Sequence, residues 1–136
     1  MPAVLSHNER AAATWGSGGR DYDRISESVS DALAHLVNRI APQPGERFLD
    51  VATGTGLTAR LLSSRGAKVN GVDFGAGVIE AAKALAPDID FRVADAEALP
   101  FEDTSFDSRP PLALCLSPDR KARRARWPVF ASGAGA

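Results

Sequence analysis

The chain has 136 residues, enough for one domain, with 44% hydrophobic and 24% charged residues and a formal net charge of −1, which excludes collagen-like, mucin-like and disordered classes. The near-zero charge hides two unlike pieces: residues 1–107 hold 10 Lys and Arg against 16 Asp and Glu, while residues 108–136 hold 6 against 1. One cysteine, Cys115, excludes a disulfide framework and a multi-cysteine zinc site, making a cytoplasmic setting the default, and no apolar run serves as a signal peptide or reaches the ~18 residues of a membrane span.

Residues 1–24 contain Trp15, three glycines, Tyr22 and Asp23 without a clear period, which predicts a loose or partly helical lead-in. From Ile25 the apolar positions Ile25, Val29, Leu33, Leu36, Val37 and Ile40 recur three or four apart, one face of a helix that Pro42, Pro44 and Gly45 stop. Arg47 to Ala52 is a buried strand candidate running into the turn Thr53-Gly54-Thr55-Gly56. A helix over 57–65 follows and ends at Gly66. The pattern repeats with a strand over 67–73, a helix over 78–86 closed by Pro87, and a third strand over 90–94. Strands alternating with helices of about ten residues predict parallel pairing and a doubly wound α/β sheet.

In such a sheet, ligands sit at the C-terminal strand ends, where the first strand-to-helix turn brings backbone close to the ligand. Gly54 and Gly56 lie there, and Gly54-x-Gly56-x-x-Ala59 also fits a dinucleotide fingerprint. Asp50, four residues before Gly54, separates the readings. It would repel the pyrophosphate of a nicotinamide or flavin dinucleotide, whereas S-adenosylmethionine carries an ammonium and a sulfonium that a carboxylate welcomes. Asp73 suits the ribose hydroxyls of either cofactor class, or caps the next helix. Phe74 can pack on adenine or in the core. Asp95 can accept from an adenine amine, or cap its own turn.

The segments Leu49-Asp50-Val51-Ala52-Thr53-Gly54-Thr55-Gly56, Gly71-Val72-Asp73-Phe74, Ala94-Asp95-Ala96-Glu97-Ala98-Leu99-Pro100-Phe101 and Ser105-Phe106-Asp107 resemble successive motifs of class I S-adenosylmethionine-dependent methyltransferases. The resemblance is to the branch that includes the ubiquinone and menaquinone biosynthesis methyltransferases. It implies a Rossmann-like doubly wound sheet and methyl transfer from S-adenosyl-L-methionine to a small-molecule acceptor. Asp50, Ala52, Gly54 and Gly56 would line the methionine part of the cofactor, Asp73 would take the ribose hydroxyls, Phe74 would lie against adenine, and Asp95 with Ala96 would read the adenine edge. Ala52 stands where the family often has a glycine. Residues Trp15 to Asp23 resemble the segment that lids the cofactor, with Tyr22 as candidate contact. In-line displacement at a sulfonium methyl needs alignment more than acid–base machinery, so no metal is required and no catalytic residue is assigned; His35 reads as solvated and His7 as part of a mobile terminus.

The expected organisation is a lead-in over 1–24, a cofactor-binding domain over 25–107 and a basic tail over 108–136. Charge, periodicity and resemblance all break after Asp107, which points to a reading-frame change or early stop near that codon and to a sheet incomplete on its C-terminal side. Leu112 to Leu116 offers one further short strand; without it the strand at 47–52 exposes an apolar edge that invites self-association. Such a chain would keep the cofactor motifs and lose much of the acceptor pocket, so that transfer itself can be absent. The competing readings are an NAD(P)-dependent oxidoreductase, which Asp50 disfavours, and a non-catalytic cofactor-binding remnant. The basic run Arg120 to Arg126 has no aromatic platform beside it, which disfavours nucleic acid as a partner.

Overall fold

A computed structural model describes residues 2–102 and 105–107. Three strands, β1 (Arg47–Val51), β2 (Lys68–Asp73) and β3 (Asp90–Val93), form one sheet in the order β1-β2-β3. Both pairs are parallel, with Asp50 opposite Gly71 and Gly71 opposite Phe91. Parallel neighbours need a crossover, and here each is a helix: α4 (Leu57–Ser64) between β1 and β2, α5 (Ala76–Leu85) between β2 and β3. This βαβαβ unit is one half of a Rossmann-like doubly wound α/β sheet.

Strand alternation sorts the core into two clusters. Val69 and Phe91 pack with Ala59 and Leu62 of α4, Ile79 and Ala82 of α5, and Val37. On the other face Leu49, Val51 and Val72 meet Ala94 and Phe106. Burying each large side chain contributes about 1.5–3 kcal/mol. Phe106 also meets Phe101 edge-on at 5.0 Å. Beside it, the backbone N–H of Asp107 donates to Arg47 O at 3.0 Å, and Arg47 N–H donates to Asp107 Oδ2 at 2.7 Å. The first residue of β1 is thus bonded on its outer edge. Leu112 to Leu116, Cys115 and Arg120 to Arg126 lie outside the described residues.

The N-terminal part departs from expectation. The lead-in forms α1 (Glu9–Gly16) and α2 (Tyr22–Ser28), joined through a 3-10 turn at Gly19–Asp21, so the expected boundary at residue 24 falls inside a helix. The single helix predicted from Ile25 to Ile40 is broken at Val29 (φ −114°, ψ 13°), and α3 spans Ser30–Ile40. Ile25 and Val29, expected on the buried stripe, are 60% and 49% exposed. The cause is local: the hydroxyls of Ser26 and Ser28 donate back to the carbonyls of Tyr22 and Ile25, a competition that bends and ends helices. The last turn of α1 lies against the start of α5 backbone to backbone. A Cβ on Gly77 would fall 2.2 Å from Gly16 O, and one on Gly75 2.8 Å from Gly16 Cα.

Candidate functional site

The glycine turn leaves β1 with alternate residues in the left-handed region: Ala52 (φ 61°), Gly54 (φ 57°) and Gly56 (φ 86°). Its backbone is tied to the neighbouring strand end. Thr53 N–H donates to Val72 O at 2.9 Å, and Gly54 N–H donates to Asp73 Oδ2 at 3.0 Å. Left-handed backbone costs a non-glycine residue roughly 1–2 kcal/mol, and the Ala52 side chain, exposed, gains no burial in return. Ala52→Gly is therefore expected to raise stability by about 0.5–1 kcal/mol, part of the gain being lost to the freer unfolded chain. A urea midpoint unchanged or lowered by the substitution would contradict this.

Asp50 is 5% exposed, beneath the turn. It accepts from Thr53 Oγ1 at 2.7 Å and from the backbone N–H of Ala59. Burial outweighs both bonds and, with a smaller push from the charge of Asp73, raises its pKa to about 7. Among the described residues no ion pair reaches it. Asp73 Oδ1 accepts from Gly75 N–H at 2.9 Å while Oδ2 holds the turn; burial raises its pKa against the lowering by those bonds. Asp73 thus fixes both the turn and the entry to α5.

Tyr22 reaches the same place from the lead-in: a Cβ on Gly54 would sit 3.1 Å from its ring. Tyr22, Asp50, Ala52, Gly54, Gly56 and Asp73 are therefore gathered at the C-terminal ends of β1 and β2. Phe74, half-buried, follows Asp73, and Ala96, partly buried, packs against the second core cluster. Asp95, at the end of β3 and 2% exposed, is engaged by the protein itself. Its Oδ2 accepts from Leu5 N–H at 3.1 Å and Asn8 Nδ2 at 2.8 Å, and its Oδ1 from Glu97 N–H at 3.0 Å. A carboxylate has about four acceptor positions, so one remains, on Oδ1. His7, expected in a mobile terminus, lies 2.9 Å from Glu97, whereas His35 is exposed as expected.

Leu5, Asn8, Asp23, Thr55 and Arg60 join the site's framework without having been singled out. Asp23 beside Tyr22, within the segment that resembles a lid, was the available signal for one of them; the partners of Asp95 lie about ninety positions away and carry none.

A parallel sheet with a glycine turn at the end of its first strand, and carboxylates at the ends of all three, defines an α/β protein of the kind whose ligands bind at the strand ends. Residues 48–123 match the family model described as a methyltransferase domain, and the chain belongs to that family. The match runs past Asp107, where the resemblance read from the motifs stops.

A demethylmenaquinone methyltransferase of Renibacterium salmoninarum is 44% identical over 105 residues, covering 74% of this chain and 44% of the relative. Among solved structures, a TehB-like SAM-dependent methyltransferase from Corynebacterium glutamicum matches with TM-score 0.54 and 27% identity over 67% of this chain and 52% of its own. A geranyl diphosphate methyltransferase in complex with SAM matches with TM-score 0.53 and 26% identity over 57% and 34%. The chain spans under half the length of the curated demethylmenaquinone methyltransferases it matches. Among the described residues no helix is long and apolar enough to cross a membrane.

Proposed function

We propose that the strand-end crevice binds S-adenosyl-L-methionine and that the chain carries the cofactor side of methyl transfer to a small-molecule acceptor. The observation that carries this is Asp50, a carboxylate 5% exposed, raised to about 7, and with no cation paired to it among the described residues. A buried charge without a partner is costly, and a ligand cation at this turn would lower that cost. An anionic pyrophosphate would raise it. The residues therefore fit the ammonium of the proposed cofactor.

In this reading Asp50, Ala52, Gly54 and Gly56 hold the methionine part, and Tyr22 covers it. Asp73, which already takes backbone N–H groups of Gly54, Gly75 and Phe74, keeps an acceptor position for a ribose hydroxyl. Phe74 lies against adenine, and the remaining acceptor on Asp95, with Ala96, reads the adenine edge. When bound, the cofactor supplies a sulfonium methyl, a good leaving-group centre for an aligned nucleophile. The name of the Renibacterium relative supports a demethylmenaquinone-type acceptor, and a cytoplasmic setting goes with the reading.

Calorimetric titration tests it. S-adenosylmethionine and S-adenosylhomocysteine are expected to give saturable heats and NADH none. A tight NADH isotherm with no response to either methionine cofactor would overturn the assignment.

A further inference from the structure

We propose that Arg60 is a positioning residue that indexes the Tyr22 ring to the glycine turn by holding Asp23. The inference rests on the reading that this turn takes the cofactor, and it assigns the residue that sets how the turn is covered.

The guanidinium of Arg60 spans two elements. Its Nη2 donates to Asp23 Oδ1 at 2.8 Å, and its Nε donates to Gly56 O at 3.4 Å. The backbone N–H of Arg60 bonds the same Gly56 carbonyl at 2.8 Å. Main chain and side chain of Arg60 are thus both registered on the turn. Asp23 Oδ1 also accepts from Thr55 Oγ1 at 2.8 Å, and Thr55 is fully buried in the turn. One carboxylate oxygen in α2 therefore meets two donors, one from the turn and one from α4.

The pair is set apart from the other ion pairs of the described residues by its burial. The side chains of Arg60 and Asp23 are 28% and 18% exposed, against 41% or more for both members of Arg47–Asp107 and Arg92–Asp90. Partly dry charged hydrogen bonds are stronger and more directional than exposed ones. Tyr22 is the chain neighbour of Asp23 and opens α2, so fixing Asp23 fixes where the Tyr22 ring begins. The ring is then held against Gly54, the turn residue whose N–H Asp73 accepts. The turn is thus linked to the Tyr22 segment by two charged or polar bonds through Thr55 and Arg60, in addition to the ring's own packing on Gly54.

The test uses the full chain with Arg60→Ala, Arg60→Lys, Tyr22→Ala and the double variant Y22A/R60A. In the ligand-free protein, Arg60→Ala is expected to speed amide exchange over residues 22–28 about tenfold, the loss of one partly buried charged bond, with α4 and α5 unchanged. Affinity for S-adenosylhomocysteine should fall by a similar factor, Arg60→Lys should recover part of both effects, and adding Arg60→Ala to Tyr22→Ala should change affinity no further.

Wild-type exchange over 22–28 in Arg60→Ala overturns the inference, and so does an affinity loss that adds in full to that of Tyr22→Ala. If Arg60→Ala unfolds, Arg60→Lys decides: exchange over 22–28 intermediate between folded and free supports positioning, and wild-type exchange refutes it. If the wild type takes up no S-adenosylhomocysteine while exchange over 22–28 still responds to residue 60, the cofactor reading fails and the positioning role stands.

Discussion

Replacing Asp50 by Asn is expected to stabilise the ligand-free protein above neutral pH while removing its affinity for S-adenosylmethionine. In the folded chain burial raises the carboxyl from 3.8 to about 7. The folded state then holds a proton that the unfolded state has released across that interval, so stability falls as pH rises from about 4 through 7 and levels off above. Three units correspond to on the order of 4 kcal/mol of stability lost by pH 8. Asn removes the charge and keeps an oxygen for Thr53 Oγ1, but it places an amide where one of the two donors, Thr53 Oγ1 and the Ala59 N–H, requires an acceptor. An unmade buried bond costs about 1–3 kcal/mol, leaving a net gain on the order of 2 kcal/mol. Denaturation curves at several pH values check it. The wild type should weaken more steeply between pH 5 and 7 than the variant, in which of the two buried carboxyls only Asp73, itself raised by burial, still contributes. A variant less stable than wild type at pH 8 would contradict the account. The same charge logic predicts that binding a cationic cofactor near pH 7 expels the proton from Asp50, visible as a buffer-dependent heat.

Gly56→Ala is expected to be the most damaging small substitution in the turn. An alanine there must hold φ near 86°, and its Cβ would lie 2.5 Å from Cζ and 2.8 Å from Cε1 of Phe91. Phe91 cannot swing aside, because it is 3% exposed and its ring also fills the space over Gly71, whose own Cβ would fall 2.5 Å from Cδ1. Left-handed strain adds about 1–2 kcal/mol and overpacking about 1–3 kcal/mol, a loss of roughly 2–5 kcal/mol against a typical total of about 5–15. Shortening the ring distinguishes the two costs. Phe91→Leu alone should destabilise, yet in the Gly56→Ala background it should return about 1–2 kcal/mol, because the atoms in collision are gone while the backbone strain remains. Urea midpoints of the four proteins measure the coupling. Strict additivity would mean that the turn and Phe91 do not share this space.

Much of this arrangement is legible in the sequence because it is local. The apolar run into Gly54 and Gly56 announces strand, turn and helix, the second strand ends on Asp73, and the alternation of elements specifies parallel pairing. Asp50 announces itself as a carboxylate at the ligand's approach, but not as one sealed under the turn: strand alternation places it on the same face as Phe48, toward the helices, and only the closure of α4 over it removes water. The break at Val29 was hidden because hydrophobic spacing continues through it, while the serines that end the helix bond to carbonyls that any helix offers. The long-range ties were hidden for a different reason. Asp23 meets Arg60 across 37 positions and Asp95 meets Asn8 across 87, and nothing in the composition of either segment encodes its partner.

The contact of Gly16 with Gly75 and Gly77 has a mechanical meaning. A joint made of main chain alone has no rotamers to freeze when it forms and none to rearrange when it is pushed. Leaning inward, α1 meets the carbonyl and Cα of Gly16 already against α5, with no compressible side chain between. The joint thus sets the closest approach of α1 to α5 at this point, and any larger residue at Gly16, Gly75 or Gly77 would have to push the two helices apart.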